Sequence, residues 1–166
     1  NDKRIIAGQG TVALELLEDE PMLEAIVTPL SGGGLLGGTL CAVKNIKPEI
    51  KVFGAEPDEA DDAYRSLKAG KRVSNKSTNT ICDGLRAQIG ELNFPIIQEF
   101  VDGIITLEEK EIITAMKMIW ERMKIIVEPS SAITLAAVLK NVNIFKNKKV
   151  GLIFSGGNVD LDNLPW

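Results

Sequence analysis

The sequence predicts an α/β protein in which helices cover both faces of a mostly parallel sheet. Two observations support this prediction: short apolar runs alternate along the chain with segments of helical periodicity, and the apolar runs are continuous. Strands alternating with helices indicate βαβ units. Continuously apolar strands are typical of a sheet that is buried on both sides. No repeat or linker interrupts the pattern, so we expect one domain over residues 1–166.

The predicted elements follow in order along the chain. The strands are the apolar runs 25–30, 51–56, 103–107 and 149–154. The helices have apolar residues at helical spacing and cover 10–19, 34–46, 60–70, 95–101, 108–123 and 129–141. The first helix is expected to begin near Gly10 or Thr11, Gly70 suits a helix end, and Pro129 suits the first position of a helix. Residues 71–80 are polar and are predicted to form a loop.

The composition excludes several classes of site. No histidine is present, which excludes Ser-His-Asp hydrolases, His-paired cysteine nucleophiles and His-ligated zinc. Two cysteines, Cys41 and Cys82, are too few for a thiolate zinc site and do not indicate a disulfide scaffold. The net charge is −4 and there is no basic block, so we expect neither nucleic acid nor a membrane as a partner. Without a signal peptide or spanning segment, we expect a cytoplasmic protein.

A cluster of glycines, SGGGLLGG, joins the first predicted strand to the next helix, from Ser31 to Gly38. Glycines at this junction let backbone N–H groups converge on an anion at the positive end of a helix. The helix terminus stabilises such an anion by about 0.3–1 kcal/mol. A tight turn without a ligand is the alternative, but three consecutive glycines cost backbone entropy. We therefore predict an anion site here.

The same cluster also fits a dinucleotide-binding pattern. Gly32, Gly34 and Gly37 match G-x-G-x-x-G, and Glu56 follows at the end of the next predicted strand. Dinucleotide-binding folds place the acid that contacts the ribose hydroxyls at such a position. A nicotinamide-dependent oxidoreductase domain is therefore the alternative function. By spacing alone the two interpretations are nearly tied.

Acidic residues follow the second predicted strand, in the segment AEPDEADDA. Glu56 and Asp62 offer two oxygen ligands around one loop, which suits Mg²⁺ or Ca²⁺. Alternatively, Asp61 and Asp62 place negative charge in the first turn of a helix, where it complements the macrodipole. Spacing alone favours this second interpretation.

A second glycine cluster, SGGNVD, follows the last predicted strand. Parallel strands bring both clusters to the same edge of the sheet, where open α/β folds bind ligands. The hydroxyl of Ser155 can hydrogen-bond a heterocycle nitrogen there, or the cluster is only a turn. Glu128 precedes a helix after a short apolar run and is either a pocket residue or an N-terminal cap.

Six motifs follow one another along the chain: IAGQGT, SGGGLLGG, AEPDEADDA, CDGL, VEPSSA and SGGNVDL. In this order they resemble the fold-type-II pyridoxal-phosphate (PLP) enzymes, and within them the serine racemase and serine/threonine dehydratase family. The resemblance covers essentially the whole chain. It implies the tryptophan-synthase-β-like fold, a three-layer α/β arrangement with a parallel sheet flanked by helices. The chain corresponds to the C-terminal half of such an enzyme, chiefly its large, PLP-holding domain.

The resemblance implies two groups of site residues. The residues around the cofactor would be Ser31, Gly32, Gly33, Gly34, Leu35, Asp83, Gly84, Glu128, Ser155 and Asn158. Among them, the glycine-rich loop would surround the phosphate through backbone amides, and Ser155 would hydrogen-bond the pyridine nitrogen. The residues that match the family's divalent-cation site are Glu56, Asp62 and the carbonyl of Ala60. This match favours a bound Mg²⁺ or Ca²⁺ more strongly than the spacing does.

The resemblance also implies an activity: dehydration or racemisation of a β-hydroxy amino acid by a PLP enzyme, expected to be a homodimer. The family's Schiff-base lysine and the serine used by racemases lie in the N-terminal half. None of the 14 lysines here sits in the family's lysine motif, so we expect this chain alone to be inactive. Where racemases often carry a serine, three residues after Gly84, this chain has Ala87, which favours a dehydratase. A non-catalytic remnant that binds cofactor is the third hypothesis.

The first residues favour a piece of a longer protein. The sequence begins at Asn1 without an initiator methionine, and the apolar residues Ile5 and Ile6 follow almost at once. A processed or engineered chain is the alternative.

Overall fold

A four-stranded parallel sheet lies at the centre of the computed structural model, which describes residues 2–166. Its strands are β1 (Ala25–Pro29), β2 (Lys51–Pro57), β3 (Gly103–Leu107) and β4 (Val150–Leu152). Their order across the sheet is β3-β2-β1-β4. The predicted fold class is confirmed. The last strand is shorter than the predicted 149–154, although the Ile153 amide still donates to the Val27 carbonyl at 3.1 Å.

Helices connect the strands and flank the sheet. They are α1 (Lys3–Asp19), α2 (Gly34–Ile46), α3 (Asp62–Ala69), α4 (Asn93–Phe100), α5 (Glu109–Met123), α6 (Pro129–Lys140) and α7 (Val142–Phe145). Short 3₁₀ turns lie at Asp58–Ala60 and Asp83–Leu85. The first of these turns explains why α3 begins two residues later than predicted. None of the helices within residues 2–166 combines the length and the apolar character needed to cross a bilayer.

Helix α1 begins well before the predicted start at Gly10 or Thr11, which was therefore wrong. Asp2 caps it, because its carboxylate accepts a hydrogen bond from the Arg4 amide at 2.8 Å. Gly10 lies inside the helix, where a Cβ would be 2.8 Å from the carbonyl oxygen of Gly38. A glycine that looks like a helix boundary is instead the point where the backbones of α1 and α2 touch.

Successive strand residues contribute to two separate cores, one on each face of the sheet. Ile26 and Val52 pack with residues of α1, α2 and α4 on one face. Val27 and Phe53 pack with residues of α5 and α6 on the other face. This alternation is expected when both faces are covered, and it produces the predicted three layers.

The parallel direction of the strands brings their carboxyl ends to one edge. The loops after β1, β2 and β4 leave the sheet at that edge, and β1 lies between β2 and β4. The three loops contain the two glycine clusters and the acidic segment. The fold therefore brings the two glycine clusters and the acidic segment to one edge of the sheet.

Candidate functional site

The glycine-rich loop after β1 presents its backbone amides to the outside. Gly33 adopts a positive φ of 87° as the N-cap of α2, and its carbonyl accepts from the Gly37 amide at 2.8 Å. Within the described chain, the N–H groups of residues 31–36 have no protein acceptor. They lie at the positive end of a helix of 13 residues. This arrangement is suited to an anion.

Hydrogen bonds to the segment between α3 and the first residue of α4 hold the glycine-rich loop in place. The Ser31 hydroxyl accepts from the Ala87 amide at 3.0 Å and donates to the Ala87 carbonyl at 3.2 Å. The Gly32 carbonyl accepts from the Gly90 amide at 3.0 Å and from the side-chain amide of Asn93. The side chain of Ser31 is therefore engaged with protein, and the groups left for a ligand are the backbone amides.

The second glycine cluster is held by the start of α6. The Ser131 hydroxyl accepts from the Gly156 amide and donates to the Gly156 carbonyl, both at 2.7 Å. The Glu128 carboxylate accepts from the Asn158 amide at 3.0 Å. The Ser155 side chain is exposed, and its hydroxyl makes no hydrogen bond to residues 2–166. This hydroxyl is therefore available to a ligand.

The side chain of Glu128 does not cap α6. The residue occupies the N-cap position, but its carboxylate makes no capping hydrogen bond. A Cβ placed on Gly156 would lie 2.7 Å from its Oε2 atom. A glycine is needed at position 156 because the Glu128 carboxylate occupies the space that a larger residue's side chain would take. The structure thus argues against the capping interpretation, and the carboxylate instead holds the loop after β4 in place through the Asn158 amide.

The motif CDGL lies against the same residues. The Gly84 amide donates to the Ser130 hydroxyl at 3.2 Å, and a Cβ on Gly84 would be 3.7 Å from Oε1 of Glu128. Asp83 is exposed, and with Asn158 it lines a cavity of about 460 Å³. The loops that carry these residues are therefore neighbours in the fold.

Glu56 lies in the interior, below the start of α3. Its carboxylate accepts from the amides of Ala63 at 3.1 Å and Tyr64 at 3.0 Å, and the residue is 0% exposed. Burial raises the pKa of this carboxyl to about 8, and the charge of Asp62 adds to the rise. A buried acid that binds a helix terminus is in no position to contact a ribose at the surface. This position argues against the nicotinamide alternative.

Asp62 lies beside Glu56 and is also buried. One carboxylate oxygen accepts from the Ile89 amide at 2.8 Å, and the other, Oδ1, has no protein partner. Burial raises the pKa of Asp62 as well. The carbonyl of Ala60 accepts no hydrogen bond from residues 2–166, because the Tyr64 amide donates to Glu56 instead. Within that range no three His, Cys, Asp or Glu side chains form a metal-binding group, so any cation here would need this carbonyl.

Three residues that fix the site were not identified from the sequence: Asn93, Ser130 and Ser131. The two serines stand in the motif VEPSSA, and a Ser-Ser pair in the first turn of a helix was a usable signal for loop-binding hydroxyls. Asn93 gave no comparable signal, because its role depends on how α4 packs against the glycine-rich loop.

The fold and the site together define an α/β protein whose loops at the carboxyl edge of a parallel sheet are arranged for a small anionic ligand. The chain belongs to the family of pyridoxal-phosphate dependent enzymes, whose sequence profile matches residues 1–156.

Individual relatives are similar over nearly the whole chain. The serine racemase of Arabidopsis thaliana is 54% identical over 171 residues, which cover 99% of this chain and 51% of that protein. The β-hydroxyaspartate dehydratase of Paracoccus denitrificans is 48% identical over 166 residues, 100% of this chain and 53% of that protein. The chain therefore spans about half the length of these relatives.

Solved structures show the same fold. Maize serine racemase superposes with a TM-score of 0.93 at 48% identity, covering 97% of this chain and 51% of that one. The T.th. threonine deaminase superposes with a TM-score of 0.92 at 42% identity, covering 97% of this chain and 59% of that one. These similarities confirm the resemblance drawn from the six motifs.

Proposed function

We propose that this chain is the large, PLP-holding domain, residues 1–166, of a dehydratase (ammonia-lyase) or racemase that acts on β-hydroxy amino acids. The observation that carries the proposal is the row of free backbone amides at residues 31–36, on the same sheet edge as the free hydroxyl of Ser155. The similarity to a serine racemase and to a β-hydroxyaspartate dehydratase supports the substrate class. The other half of such a protein would supply the lysine that carries the cofactor.

The glycine-rich loop fits a phosphate group. A Cβ on Gly32 would meet nothing closer than the Gln88 carbonyl at 3.7 Å, and one on Gly34 nothing closer than Ile5 at 3.8 Å. Space is therefore open beside Gly32 and Gly34, where an anion can approach the backbone. The donors would be the amides of Ser31, Gly32, Gly33, Gly34 and Leu35. They would bind the phosphate together with the positive end of α2.

The loop after β4 fits the other end of the cofactor. The Ser155 hydroxyl would bind the pyridine nitrogen, and Asn158 and Glu128 would keep its loop in place through their 3.0 Å hydrogen bond. Asp83 and Gly84, which lie beside this loop, would line the space for ring and substrate. A hydroxyl in place of a carboxylate would leave the ring nitrogen unprotonated, which would moderate electron withdrawal from the substrate.

When bound, PLP supplies an electron sink for the carbanion that forms at Cα of the amino acid. The residues of this chain would bind and orient the cofactor. The proton transfers at Cα would be made by groups outside this chain. Cys82, the cysteine of the CDGL motif, is buried, and burial raises the pKa of its thiol to about 12. A thiol in that state is not a nucleophile. This division of roles explains how a chain without histidine contributes to the reaction.

A divalent cation, Mg²⁺ or Ca²⁺, would bind to Glu56, Asp62 and the Ala60 carbonyl. The unpartnered Oδ1 of Asp62 and the unpartnered Ala60 carbonyl are the oxygen ligands that such ions prefer. The raised pKa values show that ionising these two buried carboxyl groups is costly. A cation between them would offset that cost. The residues present therefore fit the ion.

The quaternary state and the compartment are further parts of the proposal. A homodimer would cover apolar surface such as the side chains of Met123, Ile125 and Ile126, which are 57%, 40% and 53% exposed. A cytoplasmic location is supported by the two free cysteines, Cys41 and Cys82.

Substrate turnover by the complete protein that contains this chain tests the main proposal. Incubation with L-serine is expected to produce pyruvate and ammonia, D-serine, or both, measured by a coupled assay and chiral chromatography. Ser155→Ala is expected to lower kcat about tenfold or more, which corresponds to about 1.4 kcal/mol. Ser77→Ala, in the loop between α3 and α4, is the control: its hydroxyl accepts from the Asn79 amide at 3.2 Å, and its loss should not change kcat. A wild-type protein that turns over no β-hydroxy amino acid, or that is stabilised by NAD⁺ and not by PLP, would contradict the proposal.

The cation is tested by stability. A chelator should lower the melting temperature, Mg²⁺ or Ca²⁺ should restore it, and Asp62→Ala should respond to neither. Without a cation, the folded protein holds a proton on Glu56 that the unfolded chain releases above its ordinary pKa of 4.5. The free energy of unfolding should therefore fall as the pH rises from about 5 to about 8, by at most about 1.4 kcal/mol per pH unit. Glu56→Gln should flatten this slope. If the wild type ignores the chelator, the site binds no cation.

A further inference from the structure

One backbone carbonyl in the glycine-rich loop is held by two donors. The Gly32 carbonyl accepts from the Gly90 amide at 3.0 Å and from Nδ2 of Asn93. Asn93 is the first residue of α4 and is 1% exposed. Its side chain thus reaches from a buried helix end to the backbone of the loop.

This contact fixes the direction of the next amide. In a trans peptide the N–H points opposite to the C=O of the same unit, and no peptide within residues 2–166 is cis. Because the Gly32 carbonyl faces α4, the N–H of Gly33 faces away from α4, toward the open side of the loop. Rotation of this peptide would turn the carbonyl outward, where it would repel an anion.

The packing leaves Asn93 in direct contact with the loop. A Cβ on Gly33 would lie 2.9 Å from Cβ of Asn93. The second polar atom of the side chain, Oδ1, is buried without a protein partner. An unsatisfied buried carbonyl lowers stability. An apolar residue would avoid that loss but would not bind the Gly32 carbonyl. The presence of asparagine at this position is therefore better explained by its hydrogen bond to the loop than by packing in the core.

We propose that Asn93 is a positioning residue for the cofactor phosphate: it fixes the Gly32–Gly33 peptide so that the Gly33 amide points at the anion. The proposal rests on the proposed function, in which this loop binds PLP. Asn93 itself touches neither cofactor nor substrate. Its effect should therefore be confined to the binding energy contributed by the phosphate group.

The experiment compares the affinities of the complete apoprotein for PLP and for pyridoxal, which lacks the phosphate. Asn93→Ala should weaken PLP binding about tenfold, or about 1.4 kcal/mol, and leave pyridoxal binding unchanged. Asn93→Asp keeps the volume but replaces the donor with a negative charge, and should weaken PLP binding further. The melting temperature of Asn93→Ala should stay within about 4 °C of the wild type, since the buried Oδ1 is removed together with the hydrogen bond.

The matched control is Ser66→Ala, which removes another buried hydrogen bond, from the Val73 amide to the Ser66 hydroxyl at 2.9 Å. It should lower the melting temperature without changing the preference for PLP over pyridoxal. If both Asn93 variants bind PLP like the wild type, or lose PLP and pyridoxal affinity equally, Asn93 is only structural and the proposal is wrong. If the wild type itself does not prefer PLP to pyridoxal, the assignment of the loop to the phosphate fails first.

Discussion

The two glycine clusters of this protein look alike in sequence but differ in what their glycines do. In SGGGLLGG, after β1, the backbone amides of residues 31–36 are free and the Ser31 side chain is bonded to Ala87. In SGGN, after β4, the backbone is bonded to Glu128 and Ser131, and the Ser155 side chain is free. One loop offers main chain to a ligand and the other offers a side chain.

The difference shows two separate reasons for glycine. Gly33 is required by its φ of 87° and by the close approach of α4. Gly156 and Gly157 are required by space, because a Cβ would lie 2.7 Å from Oε2 of Glu128 or 2.6 Å from the Ile126 carbonyl. A serine followed by glycines at the end of a parallel strand therefore predicts a ligand site, but it does not say which atoms bind.

Gly33→Ala should be the most damaging of the substitutions that separate the two loops. The new Cβ would lie 2.9 Å from Asn93 and 2.9 Å from Ile97, in a left-handed conformation that alanine disfavours. We expect a loss of about 3 kcal/mol in the free energy of unfolding, measured by urea denaturation. Gly34→Ala is the neighbouring control, because its Cβ would meet only Ile5 at 3.8 Å, and it should be neutral or stabilising. Equal losses in both variants would show that φ and packing do not limit this loop.

Gly156→Ala should have an intermediate effect. The Glu128 carboxylate must move away from the new methyl group and lose its hydrogen bond to the Asn158 amide. The expected loss is about 2 kcal/mol, smaller than for Gly33→Ala, because the carboxylate can swing aside and Gly156 has no left-handed φ to lose. Adding Glu128→Ala to Gly156→Ala should cost less than the two single losses combined, as a double-mutant cycle measures. Additive losses would mean that the two residues do not compete for space.

The smallest effects distinguish the two serines. Ser31→Ala removes both hydrogen bonds to Ala87 and should lower the free energy of unfolding by about 1 kcal/mol. Ser155→Ala removes no hydrogen bond to residues 2–166 and should change this free energy by less than about 0.5 kcal/mol, while reducing turnover in the complete protein. A stability loss in Ser155→Ala as large as that in Ser31→Ala would erase the difference between the loops.

Most of the fold could be predicted because its signals are local. Four apolar strands separated by helical segments required a parallel sheet, and the boundaries of α2 were predicted to the residue, at Gly34 and Ile46. The start of α1 could not be predicted in this way. Gly10 resembles a helix boundary, and only its contact with Gly38 of α2 explains why a glycine is needed inside α1.

The site was predicted in part. Spacing located the loops, and the resemblance to PLP enzymes added roles for individual residues that spacing left open. Neither the spacing nor the resemblance predicted the contacts between distant segments. These contacts include Asn93 with Gly32, Ser130 with Gly84 and Ser131 with Gly156. Such contacts depend on how packed elements meet in space, and no period in the sequence records them.

Amide NMR spectra of this chain would show directly whether the backbone amides of the loop after β1 bind the cofactor's phosphate. The chain would be titrated with pyridoxine 5′-phosphate and, separately, with pyridoxine, neither of which has the aldehyde that reacts with lysine. We expect the phosphate ester to move the amide proton resonances of Gly33, Gly34 and Leu35 downfield, because their N–H groups gain a charged acceptor. Pyridoxine should leave these resonances in place. Resonances of these residues that stay in place at saturating phosphate ester, or that move equally with pyridoxine, would contradict phosphate binding by these amides.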